Sequence, residues 1–189
     1  VAVTGVQTCA LPIFDRTNGQ PVWPWPEKPV PQTDVPKEWT AKTQPFPSKP
    51  PAFDVQGVSI DDLIDFTPEL RAEAVRLASR FKLGPIFTPP VVSRWEGPLG
   101  TLMLPNATGG ANWQGGSYDP ETGVFYIFTN TQVSALGLVP GGERSDMAYV
   151  SGQAPNPENP KAPPVGLTVQ GLPIIKPPYG RITAIDLKK

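Results

Sequence analysis

Apolar residues recur at helical spacing in one stretch of the chain. They follow one another at intervals of four, three and four positions, with charged residues on the other faces: Leu70, Ala74, Leu77 and Phe81. Just before them, Thr67-Pro68-Glu69 offers a capping hydroxyl, a proline for the first helical position and an acid at the positive end of the helix dipole. The pattern predicts an amphipathic helix over residues 68–82, ended by Gly84-Pro85, with its arginines in solvent.

Strand-like runs between turn residues dominate elsewhere. The clearest are residues 101–104, 116–118, 124–128 and 181–187. Residues 119–123 carry Pro and Gly where a hairpin loop needs them, and Asn18-Gly19 predicts a two-residue type I′ turn. Short strands that pair in sequence order predict an all-β architecture.

Proline is concentrated in two stretches. Ten of the 27 prolines lie between residues 21 and 51, and others crowd residues 154–164. Such a density is expected to exclude regular ladders and to favour extended, polyproline-like chain that crosses a surface or links two parts. After the first stretch, Ser59 and Asp62 resemble a capping box, and the neighbouring acids Asp61 and Asp65 are expected to cap or to face solvent.

A turn motif recurs along the chain: an apolar residue, Asp, a few turn residues, then Gly and a strand. It occurs at residues 14–23 and 118–123, and it begins again at residues 184–186. Recurrence of one turn between short strands is typical of a β-propeller, in which every blade turns its outer hairpin in the same way. We expect the three aspartates to be structural hydrogen-bond acceptors rather than catalytic or calcium-binding groups: Asp15, Asp119 and Asp186.

Composition narrows the possible functions. The 189 residues are 39% hydrophobic and 17% charged, which leaves enough apolar side chains for a core. The absence of His excludes His-based catalytic triads, imidazole zinc sites and axial haem ligation. A net charge of −1, with 16 scattered Lys and Arg, argues against nucleic acid as a partner.

The first residues carry a separate signal. Residues 3–13 look like the in-frame translation of a common sequencing adapter, so we expect residues 1–13 to be an artefact. A short buried strand is the alternative, because the run is partly apolar. The exclusion removes Cys9, the single cysteine, and with it any thiol chemistry. Together with the missing initiator Met and the abrupt Lys188-Lys189 ending, it leads us to expect that residues 14–189 are a fragment of a longer protein.

Residues 15–23, which read Asp-x-x-x-Gly-x-x-x-Trp, resemble the tryptophan-docking motif of eight-bladed quinoprotein dehydrogenases. Five further strings occur in the order expected for membrane-bound, glucose-dehydrogenase-like enzymes that use pyrroloquinoline quinone (PQQ). They are residues 26–32 (PEKPVPQ), 43–47 (TQPFP), 84–90 (GPIFTPP), 110–113 (GANW) and 178–187 (PYGRITAIDL). The resemblance covers essentially everything after Ile13. It implies a partial eight-bladed β-propeller with Pro-rich insertions, the main one at about residues 24–95, and one helix.

The resemblance also implies the chemistry. Enzymes of this family oxidise a sugar, polyol or alcohol by passing hydride to PQQ, with a calcium or magnesium ion on the quinone oxygens and the membrane quinone pool as electron acceptor. Their catalytic Asp, the Lys beside the quinone and most metal ligands precede the matched region, so no catalytic or metal-binding residue is assigned here. By the same resemblance, Asn112 and Trp113 are expected to contact the quinone. Their alternative role is to satisfy a turn and to fill space between blades.

The same resemblance has implications for where the enzyme is located and for whether this segment folds alone. It implies a periplasmic enzyme, attached to the inner membrane through an N-terminal region outside this chain, with the rest of the propeller also outside it. A non-catalytic propeller that serves as an interaction scaffold is the alternative, and a Pro-rich binding module that folds alone is a third. Because blades without neighbours expose their faces and edges, we expect that residues 14–189 do not fold on their own and are inactive.

Overall fold

A computed structural model describes residues 13–112 and 115–188, without the side chain of Arg144. The strands in these ranges are β1 Glu27–Pro29, β2 Thr43–Pro45, β3 Gly57–Val58, β4 Gly84–Pro85, β5 Val91–Val92, β6 Thr101–Met103, β7 Gly116–Asp119, β8 Val124–Asn130, β9 Ser134–Pro140, β10 Tyr149–Ser151, β11 Thr168–Val169, β12 Leu172–Pro173 and β13 Gly180–Asp186. The helices are the α-helix α1 Pro68–Ala78 and two 3₁₀ helices, Ile60–Asp62 and Gly142–Arg144. None of these helices is long and apolar enough to cross a membrane.

A three-stranded antiparallel sheet contains β8 between β7 and β13. β7 and β8 form the predicted hairpin, and β13 pairs with β8 over its whole length. Alternation along β8 buries Ile127 and Thr129 on one face. The opposite face exposes Tyr126, Phe128 and, on β13, Ile182, which is 76% exposed. This sheet therefore has one packed face and one apolar face that the described residues leave open.

β9 is the centre of a second, four-stranded sheet. β10 runs antiparallel along one edge and β5 runs parallel along the other, while β6 pairs antiparallel with residues 134–136 of β9. The sequence predicts β6 but not β9, because residues 134–140 do not alternate in polarity and contain a glycine. Neighbours on both edges supply the hydrogen bonds that make this segment a strand.

Helix α1 begins where the sequence predicts it but ends at Ala78 rather than Lys82. The Thr67 hydroxyl accepts a hydrogen bond from the Leu70 N–H at 3.2 Å, which caps the first turn. Beyond Ala78 the chain turns away, and the Lys82 N–H donates to the Gly100 carbonyl at 2.9 Å. Between these points the Arg80 N–H donates to the Leu77 carbonyl at 3.1 Å and the Phe81 N–H to the Ala78 carbonyl at 2.9 Å, so tighter turns replace the α-helical spacing before the chain joins β6.

Two arginines of the helical region are structural, which corrects the prediction that they face solvent. Arg71 Nη1 donates to the Leu63 carbonyl at 3.0 Å, and Arg80 Nη2 donates to the Trp95 carbonyl at 3.1 Å. The Arg80 guanidinium also lies over the Trp95 ring, 4.3 Å from its centroid. Helical periodicity does not reveal these roles, because the partners lie outside the helix.

Two clusters of buried side chains form the interior. The main core joins α1 to β6 and to the β11–β12 hairpin, and its buried members are Val58, Leu63, Ile64, Leu70, Ala74, Ala78, Phe81, Leu99, Leu102, Leu104, Val169, Ile174 and Ile175. The small core consists of Phe53, Ile127 and Ile185, with Ala111 packed against it. The small core therefore connects the three-stranded sheet to the chain that follows the first Pro-rich stretch.

The first Pro-rich stretch contains a short ladder, so the prediction that proline excludes one is wrong there. β1 pairs with β2, with Glu27 opposite Pro45 and Pro29 opposite Thr43. Both prolines lie at the ends of three-residue strands in a two-stranded sheet, so the central pair keeps its hydrogen bonds. Proline density alone does not show where each proline falls in a register.

The first predicted turn is longer than expected. It spans residues 16–19: the Gly19 N–H donates to the Asp15 carbonyl at 2.8 Å, and the Asp15 N–H donates to the Gln20 carbonyl at 2.8 Å. A type I′ turn needs positive φ at both central residues, and of Asn18-Gly19 only Gly19 has it, at +73°. Both values are positive at Gln170-Gly171, +49° and +82°, in the turn between β11 and β12.

Candidate functional site

The glycine-rich segment between β6 and β7 forms two successive turns. In the first, the Asn106 carbonyl accepts from the Gly109 N–H at 2.9 Å, and Asn106 Oδ1 accepts from the Thr108 hydroxyl at 2.7 Å. In the second, the Asn112 carbonyl accepts from the Gly115 N–H at 2.8 Å. Gly109 has φ of +87°, a conformation that residues with a Cβ rarely adopt. Asn112 therefore begins the second turn, three residues after the first turn ends.

The Asn112 side chain is half-buried and partly engaged. Its Nδ2 donates to the Thr108 carbonyl at 2.7 Å, which is the turn-satisfying role that the sequence left open. The described residues contribute no other hydrogen bond to this side chain, which as an amide also carries a second Nδ2 hydrogen and the Oδ1 acceptor. Trp113 lies outside the described residues, and its contact with the quinone stays a prediction.

Two contacts attach this turn to the three-stranded sheet. The N–H of Asn130, the last residue of β8, donates to the Gly110 carbonyl at 2.8 Å. The next residue, Ala111, packs against the small core. The position of Asn112 therefore depends on where β8 ends and on how the small core is packed.

An ion pair with a buried carboxylate lies beside the end of β8. The Asp54 side chain is 3% exposed and binds the Arg181 guanidinium, the Thr131 hydroxyl at 3.0 Å and the Val55 N–H at 2.7 Å. Three donors therefore satisfy the carboxylate, as a buried charge requires. The sequence did not identify this network, because Asp54 lies 77 positions from Thr131 and 127 from Arg181. The one local signal is a lone acid in the apolar string of residues 52–55.

The repeated aspartates hold their turns, as predicted. The Thr122 hydroxyl donates to Asp119 Oδ2 at 2.6 Å, and the Glu121 N–H donates to Oδ1 at 3.0 Å. Asp15 Oδ1 accepts from the Thr17 hydroxyl at 2.6 Å and from the Thr17 N–H at 2.8 Å. These bonds favour the charged carboxylates, so the Thr122 hydroxyl lowers the pKa of Asp119 and the Thr17 hydroxyl lowers the pKa of Asp15.

The backbones of the two complete turns are also alike. The N–H of the loop's last glycine donates to the aspartate carbonyl at 2.8 Å in both, and φ is +73° at Gly19 and +77° at Gly123. At the third occurrence, Asp186 Oδ1 accepts from the Lys188 N–H at 2.9 Å. The sequence repeat is therefore a repeat of turn geometry, which confirms the structural role of these aspartates.

The acids near residue 62 do not converge on one point. Asp62 Oδ2 accepts from the Ser59 N–H and hydroxyl, both at 2.7 Å, and Asp65 forms an exposed ion pair with Lys176 at 3.6 Å. Within the described ranges, no three His, Cys, Asp or Glu side chains lie close enough together to hold a metal ion. These acids cap a 3₁₀ helix and face solvent.

Trp23, the last residue of the docking motif, lies beside the three-stranded sheet. It lines a cavity of about 340 Å³ together with Phe53 of the small core and residues 183–186 of β13. The Trp23 side chain thus lies next to the three-stranded sheet, which carries the repeated turns of Asp119 and Asp186. Its predicted place between two blades stays a prediction.

Comparison with known proteins identifies the family. The model of the family described as "PQQ: Glucose/ethanol/alcohol dehydrogenase, beta-propeller domain" matches residues 3–189. Similar proteins include the glycerol dehydrogenase large subunit of Gluconobacter oxydans, 29% identical over 93% of this chain and 25% of that protein. The quinoprotein glucose dehydrogenase of Escherichia coli is 31% identical over 93% of this chain and 23% of that protein. The quinate/shikimate dehydrogenase (quinone) of Acinetobacter baylyi is 26% identical over 98% of this chain and 24% of that protein.

The chain spans about a quarter of the length of these relatives. No solved structure matches it. The adapter origin of residues 1–13 stays a prediction. A family match over nearly the whole chain agrees with the strand-rich fold and the repeated Asp–Gly turn, and it shows that the chain belongs to the family of PQQ-dependent glucose, ethanol and alcohol dehydrogenases, in their β-propeller domain.

Proposed function

We propose that this chain is part of a PQQ-dependent dehydrogenase that oxidises a sugar, a polyol or an alcohol and passes the electrons to quinone. The observation that carries the proposal is the family match over residues 3–189. The relatives are named for glycerol, glucose and quinate or shikimate, so a compound with several hydroxyl groups is the best-supported substrate class. In this proposal an eight-bladed ring is completed by chain outside this segment. The enzyme lies in the periplasm, attached to the inner membrane through an N-terminal region.

Asn112 is the described residue that fits the cofactor best. PQQ presents quinone and carboxylate oxygens, and in this proposal the second Nδ2 hydrogen of Asn112 donates to one of them. Bound beside Asn112, PQQ would supply the hydride acceptor of the reaction, and a calcium or magnesium ion would supply Lewis-acid polarisation. Because the bond to the Thr108 carbonyl already orients the amide, little reorganisation is needed on binding. Trp113, the next residue, is proposed to contact the quinone as well.

The divalent ion and the proton acceptor belong to other parts of the propeller in this proposal. The described residues contain no cluster of ionisable side chains that could hold an ion. The carboxylates of the repeated turns are occupied by their own loops, as at Asp119 and Asp15. The contribution of this chain is therefore to hold and orient the quinone.

The test is reconstitution of the full-length apoenzyme. PQQ is titrated in the presence of calcium or magnesium, binding is followed by quinone absorbance, and dye reduction is measured with glucose, glycerol and quinate. Loss of one hydrogen bond is worth about 1–2 kcal/mol, so Asn112→Ala should weaken PQQ affinity roughly 5- to 30-fold. Asn18→Ala, in a turn of its own, is the matched control and should bind PQQ like the wild type.

The outcomes separate the alternatives. A folded wild-type protein that binds no PQQ would contradict the proposal and favour a propeller that serves as an interaction scaffold. Normal PQQ affinity in Asn112→Ala, with a wild type that binds the cofactor, would remove Asn112 from the site and leave the family function in place.

A further inference from the structure

We propose that Asp54 is a positioning residue for the cofactor contact of Asn112. Its buried network with Thr131 and Arg181 holds the end of β8, and the turn that presents Asn112 is attached to that end. The inference rests on the proposed function, because it concerns how the same site is kept in place.

The network joins three segments that are distant in sequence. Asp54 follows the first Pro-rich stretch, Thr131 follows β8, and Arg181 lies near the start of β13. The Asp54 side chain is 3% exposed, whereas the carboxylate of the ion pair between Asp65 and Lys176 is 49% exposed. Only the buried carboxylate depends on its partners for solvation, so only there does losing one partner leave a buried polar group uncompensated.

The route from this network to the turn is short. Thr131 also donates its N–H to the Tyr179 carbonyl at 2.9 Å, so both its backbone and its side chain are held. The preceding residue, Asn130, donates its N–H to the Gly110 carbonyl at 2.8 Å, two positions before Asn112. The end of β8 therefore transmits its position directly to the turn.

A second support of the turn involves Phe53, the residue before Asp54. Phe53 belongs to the small core, and Ala111 packs against that core. Asp54 and its neighbour Phe53 thus hold the two contacts that attach the turn to the sheet, one polar and one apolar.

Stability alone does not explain an ion pair at this place. A buried pair adds little net stability compared with apolar side chains of similar volume, but it imposes a defined geometry on the groups that it joins. The small core beside it shows that apolar packing is available here. A role in fixing the position of the Asn112 turn explains why an ion pair, rather than apolar side chains, lies at this place.

A double-mutant cycle in the full-length enzyme tests the inference. Asp54→Asn is made in the wild type and in Asn112→Ala, and each protein is titrated with PQQ and its bound-quinone spectrum and thermal midpoint are measured. We expect Asp54→Asn to weaken PQQ affinity about 5-fold in the wild type and to add no further loss in Asn112→Ala. The bound-quinone spectrum should shift with the affinity.

Matched variants distinguish an effect of Asp54 on the position of Asn112 from an effect on the stability of the protein. Asp65→Asn removes the carboxylate of the exposed ion pair and should leave PQQ affinity and spectrum unchanged. Arg181→Lys keeps a charge beside Asp54 and should recover part of the affinity that Arg181→Met loses. Should Asp54→Asn fail to fold, Thr131→Val removes one donor and keeps the ion pair, and it takes the place of Asp54→Asn in the cycle.

Several results would overturn the inference. An equal loss of PQQ affinity in both backgrounds would mean that Asp54 acts independently of Asn112, and a lower thermal midpoint with unchanged affinity would make its role structural only. Unchanged affinity in Asn112→Ala would remove the contact that Asp54 is said to position. A wild-type protein that binds no PQQ would instead refute the proposed function itself.

Discussion

Thr129→Val is expected to stabilise the protein, although most substitutions of buried residues destabilise. Thr129 lies in β8 and is fully buried, and its hydroxyl finds no hydrogen-bond partner among the described residues. Valine has nearly the same shape, replaces the hydroxyl with a methyl group and favours the strand conformation. Since a buried polar group without a partner costs about 1–3 kcal/mol, its removal should raise the free energy of unfolding by about that amount.

Thr131→Val is the matched control, because the same change is made two residues further along the same side of the chain. Thr131 is buried as well, but its hydroxyl donates to the Asp54 carboxylate at 3.0 Å. A hydrogen bond to a charged group contributes about 1.5–3 kcal/mol, so this variant should be destabilised by a similar amount. Two chemically identical substitutions are therefore expected to change stability in opposite directions.

Equilibrium urea unfolding of the full-length protein measures both effects. Tryptophan fluorescence reports the transition, and the midpoints of the two variants are compared with the wild type at equal cofactor load. A shift of midpoint at unchanged slope reports a change in stability. The reasoning is refuted if Thr129→Val has a lower midpoint than the wild type, because the hydroxyl would then have a partner that stabilises it.

Three further predictions concern packing, charge and the limits of the segment. Leu63→Ala should lower the free energy of unfolding by about 2–5 kcal/mol, because Leu63 is fully buried in the main core. Ile60→Ala, at an exposed position, should change the free energy of unfolding by less than about 1 kcal/mol. Equal effects of the two variants in urea unfolding would contradict this. The pKa of Asp119 is lowered in the folded state, so its charged carboxylate stabilises the protein. Wild type should therefore have a higher thermal midpoint than Asp119→Asn at pH values above about 3.9, the ordinary pKa of aspartate, and this difference should disappear as the pH falls through the lower pKa of the folded state. A difference in thermal midpoint that stays constant with pH would disprove this. Residues 14–189 alone should show no cooperative thermal transition, because the three-stranded sheet leaves its apolar face open; a sharp transition with dispersed amide signals would count against this.

The elements that the sequence predicts correctly are those set by neighbouring residues. The β7–β8 hairpin follows from alternating strands around a Pro- and Gly-containing loop, and the start of α1 follows from Thr67 and the proline after it. The role of Asp119 in its turn follows in the same way, because its partners lie two and three positions away. In each case the hydrogen bonds that form the element lie within a few residues of sequence.

The elements that the sequence does not predict depend on distant partners. β9 becomes a strand through neighbours on both edges, and α1 ends early because Lys82 bonds to Gly100. Arg80 is half-buried rather than exposed because its guanidinium bonds to the Trp95 carbonyl and lies over the Trp95 ring. Asn112 is found by resemblance, but its bond to the Thr108 carbonyl becomes visible only in the folded turn.

The amino-acid sequence by itself determined the class of the protein: short strands, one helix, a repeated Asp–Gly turn and strings shared with a quinone-dependent family. These features are local, because turn hydrogen bonds, capping and alternation need only nearby residues. Only the tertiary structure decided that Asp54, Thr131 and Arg181 meet beside the Asn112 turn. Their contact depends on how three separate segments pack. The partners of a buried charge are close in space but far apart in sequence, so no periodic pattern along the chain predicts them.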